Sequence, residues 1–203
     1  MCKYAPIRNA EEMKNRTGIG YILREVTIVV VGVLIAVSIG NYKEKKDNEK
    51  YVEKTLIAIE NEIKSSQAEV DTVLKRHLRL IEILKNGMDN SEQSLGDLVS
   101  SSGGFQVASI KNVSLRFFIS NKAELLEFQM ISQLLDIEAH TELLSDKIER
   151  LGDYAYSRIN DTTRETKLNF AYLVENVLDS EQSLLESYSR FLEENEGFLK
   201  KNN

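Results

Sequence analysis

The chain has 203 residues, of which 42% are hydrophobic and 29% are charged, a composition typical of folded rather than disordered protein. One proline and ten glycines supply too few turn residues for a β-sandwich or a β-barrel, so we expect an all-α fold. The net charge of −6 disfavours nucleic acid as a partner, because binding to phosphate depends on Lys and Arg.

The first predicted element is a transmembrane helix over residues 19–42, which follows a short leader, residues 1–18. Residues 26–42 carry no charge. As a helix these residues reach roughly 25 Å, less than the hydrocarbon core of about 30 Å, and the apolar turn before them supplies the remaining length. Two alternatives stay open, a buried helix of a soluble domain and a cleaved signal peptide, although charged residues rather than a small-residue cleavage site follow the segment.

Three residues near the ends of this segment are predicted to lie at the membrane interface. Tyr21 and Tyr42 are separated by a helix length of roughly 31 Å, which places one tyrosine at each interface. Arg24 lies further inside the span, and its long side chain can extend outward to the head groups. Membrane lipid is therefore an expected partner.

Small residues form one stripe along the predicted membrane helix. Gly32, Ala36 and Gly40 repeat at intervals of four, the pattern that lets two helices approach closely. Glu25 lies close to two turns before Gly32, so it falls on roughly the same face, where an acid must be protonated, paired or directed at another helix. Ser38 can add a hydrogen bond across such an interface. The stripe predicts packing against a second copy, as a homo-oligomer, or against a partner membrane protein.

Charge gives limited information about orientation. Five Lys/Arg precede the uncharged stretch, residues 26–42, and five follow it closely, so the positive-inside rule does not separate the two orientations. Because a short basic leader before a first hydrophobic segment usually stays in the cytoplasm, we expect the N-terminus inside. The acidic domain, residues 43–203, would then be periplasmic, outside the inner (cytoplasmic) membrane.

A helical seam of about five heptads, resembling a coiled coil, is predicted at the start of this soluble domain. Its positions recur mostly at steps of three and four, with polar Ser66 filling one vacant position, and its register is continuous with the membrane helix. Glycines and serines then predict a loop over residues 87–104, which by its length is either mobile or functional. The seam consists of Val52, Leu56, Ile59, Ile63, Val70, Val73, His77, Ile81 and Leu84.

The remaining sequence predicts further helices. Residues 105–120 favour short helices, although 115–119 also suit a short buried strand. Helical patterns continue from Lys122 to Arg150 and, as one or two helices, over residues 154–199. Long helices with such stripes bury them against one another, which predicts a long-helix antiparallel bundle. The apolar face of the first of these helices is predicted on Leu125, Phe128, Ile131/Ser132, Leu135, Ala139 and Glu142/Leu143.

Catalysis, cofactors and metals have no supporting motif. His77 and His140 are the only histidines, and neither lies in the spacing of a known metal motif. Signatures of hydrolases, phosphate-binding loops, dinucleotide sites and kinases are missing from the sequence. We therefore expect no enzyme, no cofactor and no metal site.

Residues 20–44 resemble an uncharacterised family of bacterial single-span membrane proteins that is common in Bacteroidota. That family has an apolar helix with a Gly-Glu pair, a Gly-Ile-Leu-Ile-Ala core and an Asn-Asn-Trp-Asn-Glu exit. Glu25 matches the acid, residues 32–36 the core and 41–44 the exit, while Arg24 replaces the glycine and a tyrosine replaces the tryptophan. The resemblance implies a single-pass membrane protein with a helical domain and implies no activity.

Two functions fit this architecture. The first is a non-catalytic, membrane-anchored interaction or scaffold module, acting as a homo-oligomer or as a subunit of a membrane complex. The second is an extracytoplasmic sensory input domain. Because only about 18 residues precede the span, too few for an output domain, such a sensor would work with a separate signalling protein.

Overall fold

The structure is a computed structural model that describes the backbone of residues 10–196 and the side chains of residues 20–196. Within these residues every regular element is a helix, which confirms the predicted all-α fold. The side chains of the predicted leader, residues 1–18, lie outside the described residues. In chain order the elements are α1 (Ala10–Gly87), α2 (Leu95–Ser101), α3 (Val113–Lys122), a 3₁₀ turn (Ala123–Leu125), α4 (Phe128–Arg158) and α5 (Arg164–Glu194).

The chain divides into two compact units between Lys50 and Tyr51, and α1 contributes residues to both. In the first unit the described residues are all helical, and nearly all of their side chains are exposed. The second unit contains the hydrophobic core.

The core of the second unit includes the predicted seam of α1. Every position of that seam is buried, including polar Ser66 and His77. The alternating spacing of three and four residues keeps these side chains on one side of the helix, where α5 covers part of them. Two contacts show the direction of this packing, because Gln67 bonds Ser189 at 3.0 Å and Lys85 pairs with Glu175 at 3.2 Å. The two helices therefore run antiparallel.

α4 and α5 form an antiparallel hairpin. Gln133 near the start of α4 donates to Glu194 at the end of α5, and Lys147 donates to the carbonyl of Asn176. Because α5 is antiparallel to both α1 and α4, the second unit is a bundle of three long helical segments with shorter helices added to it.

The predicted apolar face of α4 is wrong. Phe128, Leu135 and Leu143 are 85%, 45% and 47% exposed. Adjacent leucines at 134–135 and 143–144 give α4 two apolar stripes with nearly the same period, so the sequence pattern fits both faces. Packing against α5 selects the other one. The buried residues of α4 are Gln133, Leu134, Ile137, Thr141, Leu144 and Leu151.

The turn between α4 and α5 lies later in the chain than the predicted break between Arg150 and residue 154, because α4 continues to Arg158. Asp161 stabilises this turn, residues 159–163. Its side chain accepts hydrogen bonds from the Thr163 amide and the Thr166 hydroxyl, both at 2.8 Å. The Thr163 hydroxyl caps α5. Hydrogen bonds from Thr163 and Thr166 favour the carboxylate and lower the pKa of Asp161 to about 2.

The predicted loop over residues 87–104 contains a helix, α2. Ser94 and Asp97 form a capping box at its start, a sequence signal that the glycine and serine content concealed. The amides of Leu95 and Gly96 donate to the carbonyls of Asp161 and Ile159, at 2.9 and 2.7 Å. A Cβ on Gly96 would lie 2.9 Å from the Ile159 oxygen, so this approach requires glycine.

Candidate functional site

The apolar part of α1 in the first unit is exposed all round. One stretch within residues 20–87 is long and apolar enough to cross a membrane, and none of its most apolar window is buried. Every large apolar side chain from Tyr21 to Tyr42 is between 47% and 69% exposed. A core helix of a soluble domain would bury at least one side. Burial in a protein core therefore does not explain why this segment is apolar.

The predicted packing residues share one side of this helix. At about 100° per residue, Glu25, Gly32, Ala36 and Gly40 fall within a sector of about 80°. A Cβ added at Gly32 or Gly40 would meet nothing within 4 Å. The four residues are exposed, so the stripe is an open strip of backbone with a carboxylate at one end.

Ser38 does not belong to this stripe. It lies two residues from Ala36, which places it about 160° away around the helix. Its hydroxyl donates to the carbonyl of Leu34 at 2.7 Å, and the Thr27 hydroxyl donates to the carbonyl of Leu23 at 2.8 Å. Both hydroxyls are therefore satisfied within their own helix, as apolar surroundings require.

The predicted interfacial residues lie towards the two ends of the apolar stretch. Tyr21 is 64% and Tyr42 is 69% exposed, and the Arg24 side chain is also exposed. The helix rise separates the two tyrosines by roughly 31 Å, which matches the thickness of a hydrocarbon core. The bilayer assignment itself stays a prediction.

The second unit contains a cleft that the sequence pattern did not reveal. Its volume is about 550 Å³, and it opens between α4 and the extended segment that precedes α3. The lining is half apolar, with Val107, Ile110, Leu144 and Ile148, and half polar. The sequence hint of this cleft was the run of acidic residues on one face of α4. Such a run is found on any solvent-exposed helix, so it did not identify a site.

Arg116 is the one basic residue that lines this cleft. Its Nε lies 3.1 Å from Glu138, and one terminal nitrogen lies 2.8 Å from Glu142. Asp146, one turn after Glu142, also lines the cleft. It has no ion-pair partner among residues 20–196. Two carboxylates therefore pair with the one guanidinium and a third lines the same cleft, so the acids outnumber the basic groups there.

The extended segment, residues 103–112, is fixed to α1. The two glycines at its start, Gly103 and Gly104, have φ of 96° and 85°, which favours glycine. Further along, the amide of Lys111 donates to the Ser66 hydroxyl at 2.9 Å. Glu62 then caps α3, because its carboxylate accepts from the Ser114 amide at 3.0 Å. These contacts fix one wall of the cleft.

His77 holds the same segment from inside the core. Its ring stacks on Phe105, with centroids 4.5 Å apart, and Nε2 lies 2.9 Å from the carbonyl of Gln106. Since a carbonyl can only accept, Nε2 carries the hydrogen. Nδ1 lies 2.9 Å from Glu181 Oε1, and both side chains are 1% exposed. Neither His77 Nδ1 nor Glu181 Oε2 forms a hydrogen bond of correct geometry, so this close polar contact between α1 and α5 is buried without being fully hydrogen-bonded.

The second histidine, His140, lies elsewhere on the bundle. Its Nδ1 is 2.8 Å from the Ser187 hydroxyl, so both histidines serve helix-to-helix contacts. Within the part of the chain that the structure describes, no three His, Cys, Asp or Glu side chains converge in a way that could hold a metal ion.

The Tyr188 hydroxyl is buried next to Thr141, one of the residues that line the cleft. Tyr188 is 1% exposed, and its hydroxyl faces Thr141, a lining residue, and Ser66 without forming a hydrogen bond to either in the correct geometry. Burial raises the pKa of this hydroxyl above its ordinary value. A buried, unpaired phenol is unusual, because an unsatisfied polar group costs free energy.

Comparison with known protein families finds one match, which covers about a third of the chain. Residues 25–98 match a family of unknown function, DUF6090. No curated protein and no solved structure matches the chain. The match begins at Glu25 and extends through the rest of α1 into α2, which agrees with the expectation of an uncharacterised domain.

Proposed function

We propose that this chain is a non-catalytic, membrane-anchored helical module that acts as a homo-oligomer or as a subunit of a membrane complex. The single observation that carries the proposal is the complete exposure of the apolar stretch between Tyr21 and Tyr42. A continuous apolar surface of this size is stable in lipid and is an aggregation hazard in water.

The stripe of Glu25, Gly32, Ala36 and Gly40 is the proposed contact surface. In lipid the hydrophobic effect does not drive helices together, so close backbone packing and polar contacts determine association. The two glycines leave room for that approach. The Glu25 carboxyl favours the same outcome, because an acid facing lipid is costly and a neighbouring helix can provide it with a partner.

Crosslinking in membranes tests this interface. Gly32→Ile or Gly40→Ile places a branched side chain where a second helix would pack, so crosslinking of the full chain should be abolished. Ser38→Ile is the matched control, because it adds similar bulk on the opposite side of the same helix. Unchanged crosslinking in both glycine variants would contradict the proposed interface.

The nature of the partner follows from a second measurement. The complex purified from native membranes in mild detergent should contain either copies of this chain alone or one defined membrane protein, and its intact mass decides between them. A monomer without any bound protein would contradict both forms of the proposal.

We further propose a bacterial inner membrane location with a periplasmic C-terminal domain. The support is the resemblance of residues 20–44 and the short basic leader before the span. In spheroplasts, external protease should digest residues 51–203. Protection of this domain in intact spheroplasts, with digestion after lysis, would reverse the orientation.

A second candidate function, an extracytoplasmic sensory input domain working with a separate signalling protein, is favoured by the cleft in the second unit. A cleft of about 550 Å³ falls within the range of small-molecule sites. A scaffold needs no such cleft, so ligand binding there distinguishes the two functions.

A further inference from the structure

The charge of the cleft selects the sign of its ligand. Arg116 already contacts Glu138 and Glu142, so its guanidinium is committed within the protein. Asp146 is left without a cation among the described residues, and the next basic residue, Lys147, donates to the carbonyl of Asn176 on α5. The Asp146 carboxylate, exposed and in the lining of the cleft, is therefore available to a cationic group of a ligand, and an anion would be repelled.

The apolar residues that line the cleft favour a ligand that also carries an apolar group. Val107 is 54% exposed on the extended segment, while Leu144 is fully buried at the base. With Ile110 and Ile148 they form an apolar surface beside the carboxylates. A ligand that covers Val107 would remove apolar area from water, at roughly 25 cal/mol per Å².

We propose that the cleft between α4 and residues 105–112 binds a small organic cation that carries an apolar group, with Asp146 as the counter-ion. The binding requires neither self-association of α1 nor any signalling. Its biological meaning rests on the sensory candidate described above.

The fixed wall gives this binding a structural consequence. Residues 105–111 contact the ligand site on one side and, through the Gln106 carbonyl and the Lys111 amide, contact His77 and Ser66 of α1 on the other. A ligand held by this wall also stabilises its attachment to α1, so bound cation should protect residues 105–111 from hydrogen exchange.

Calorimetric titration of the full chain in phosphatidylcholine nanodiscs tests the proposal. The probes are cyclohexylammonium, cyclohexanecarboxylate and cyclohexanol, which share one ring and differ in charge, and empty nanodiscs give the lipid background. The ammonium should bind saturably and the carboxylate should not bind. Equal binding of all three, or no binding above the empty nanodiscs, would overturn the proposal.

Two variants locate the site. Asp146→Asn should weaken ammonium binding by about fivefold, the value of a partly exposed ion pair, and Ser145→Phe should abolish it by filling the cleft from an exposed position. Asp153→Asn is the matched control, an exposed acid two turns further along the same face of α4. Equal affinities for the Asp146 and Asp153 variants would refute the assignment, whatever the oligomeric state of the membrane helix.

Discussion

Replacing His77 by leucine should strongly destabilise the second unit. Glu181 is 1% exposed and lies 2.9 Å from His77 Nδ1, and no Lys or Arg side chain pairs with it among the described residues. Removing the imidazole leaves the buried Glu181 carboxyl without a polar partner, a loss that reaches about 3–5 kcal/mol where such a buried pair is ionised. This is a large part of the roughly 5–15 kcal/mol that holds a typical domain folded.

The double variant His77→Leu/Glu181→Met provides the control. It removes both polar side chains and fills their places with apolar ones of similar volume, so it should recover at least half of the loss. The Gln106 carbonyl, which loses its donor, belongs to an exposed residue and can bond to water instead. A coupling free energy of about 2 kcal/mol between the two positions is expected from the double-mutant cycle.

Urea unfolding of the full chain in detergent, followed by circular dichroism, measures these differences. The midpoint should shift with the slope unchanged, since the exposed area is the same. If His77→Leu costs less than about 1 kcal/mol, or if the two single losses add up in the double variant, the contact is not a charge-compensating pair and the reasoning from burial and distance is refuted.

Three further predictions concern stability. Lys167→Met should cost roughly 2 kcal/mol in urea unfolding, because the buried side-chain nitrogen donates to the carbonyls of Gly87, the last residue of α1, and of Asn90, three residues after it; an unchanged midpoint would contradict this. The raised pKa of Tyr188 gives stability that is complete below about pH 10 and is lost as pH rises further, so the alkaline decline of the urea midpoint should be smaller in Tyr188→Phe. The lowered pKa of Asp161 gives stability that is present above about pH 4 and is lost as pH falls towards 2, so acid unfolding should be shallower in Asp161→Asn, and identical acid profiles would contradict the role of this turn.

Periodicity in the sequence determined the helices and one buried face correctly. Every residue of the predicted seam of α1 is buried, including Ser66 and His77, because a pattern of three and four residues fits only one side of a helix; the prediction left out Glu60 and Leu80, which are buried beside it. The apolar stretch before Tyr42 was predictable for the same reason, since seventeen uncharged residues exceed what one face requires.

Only the tertiary structure decided the remaining features. α4 has two apolar stripes, and the choice between Leu134 and Leu135 depended on the position of α5. The cleft joins Val107 to Asp146, which are distant in sequence and have no local pattern in common. The periodicity of a sequence predicts which side of a single helix is buried. A site between two segments depends on how those segments pack, and the contacts that determine this packing are not visible in the sequence pattern.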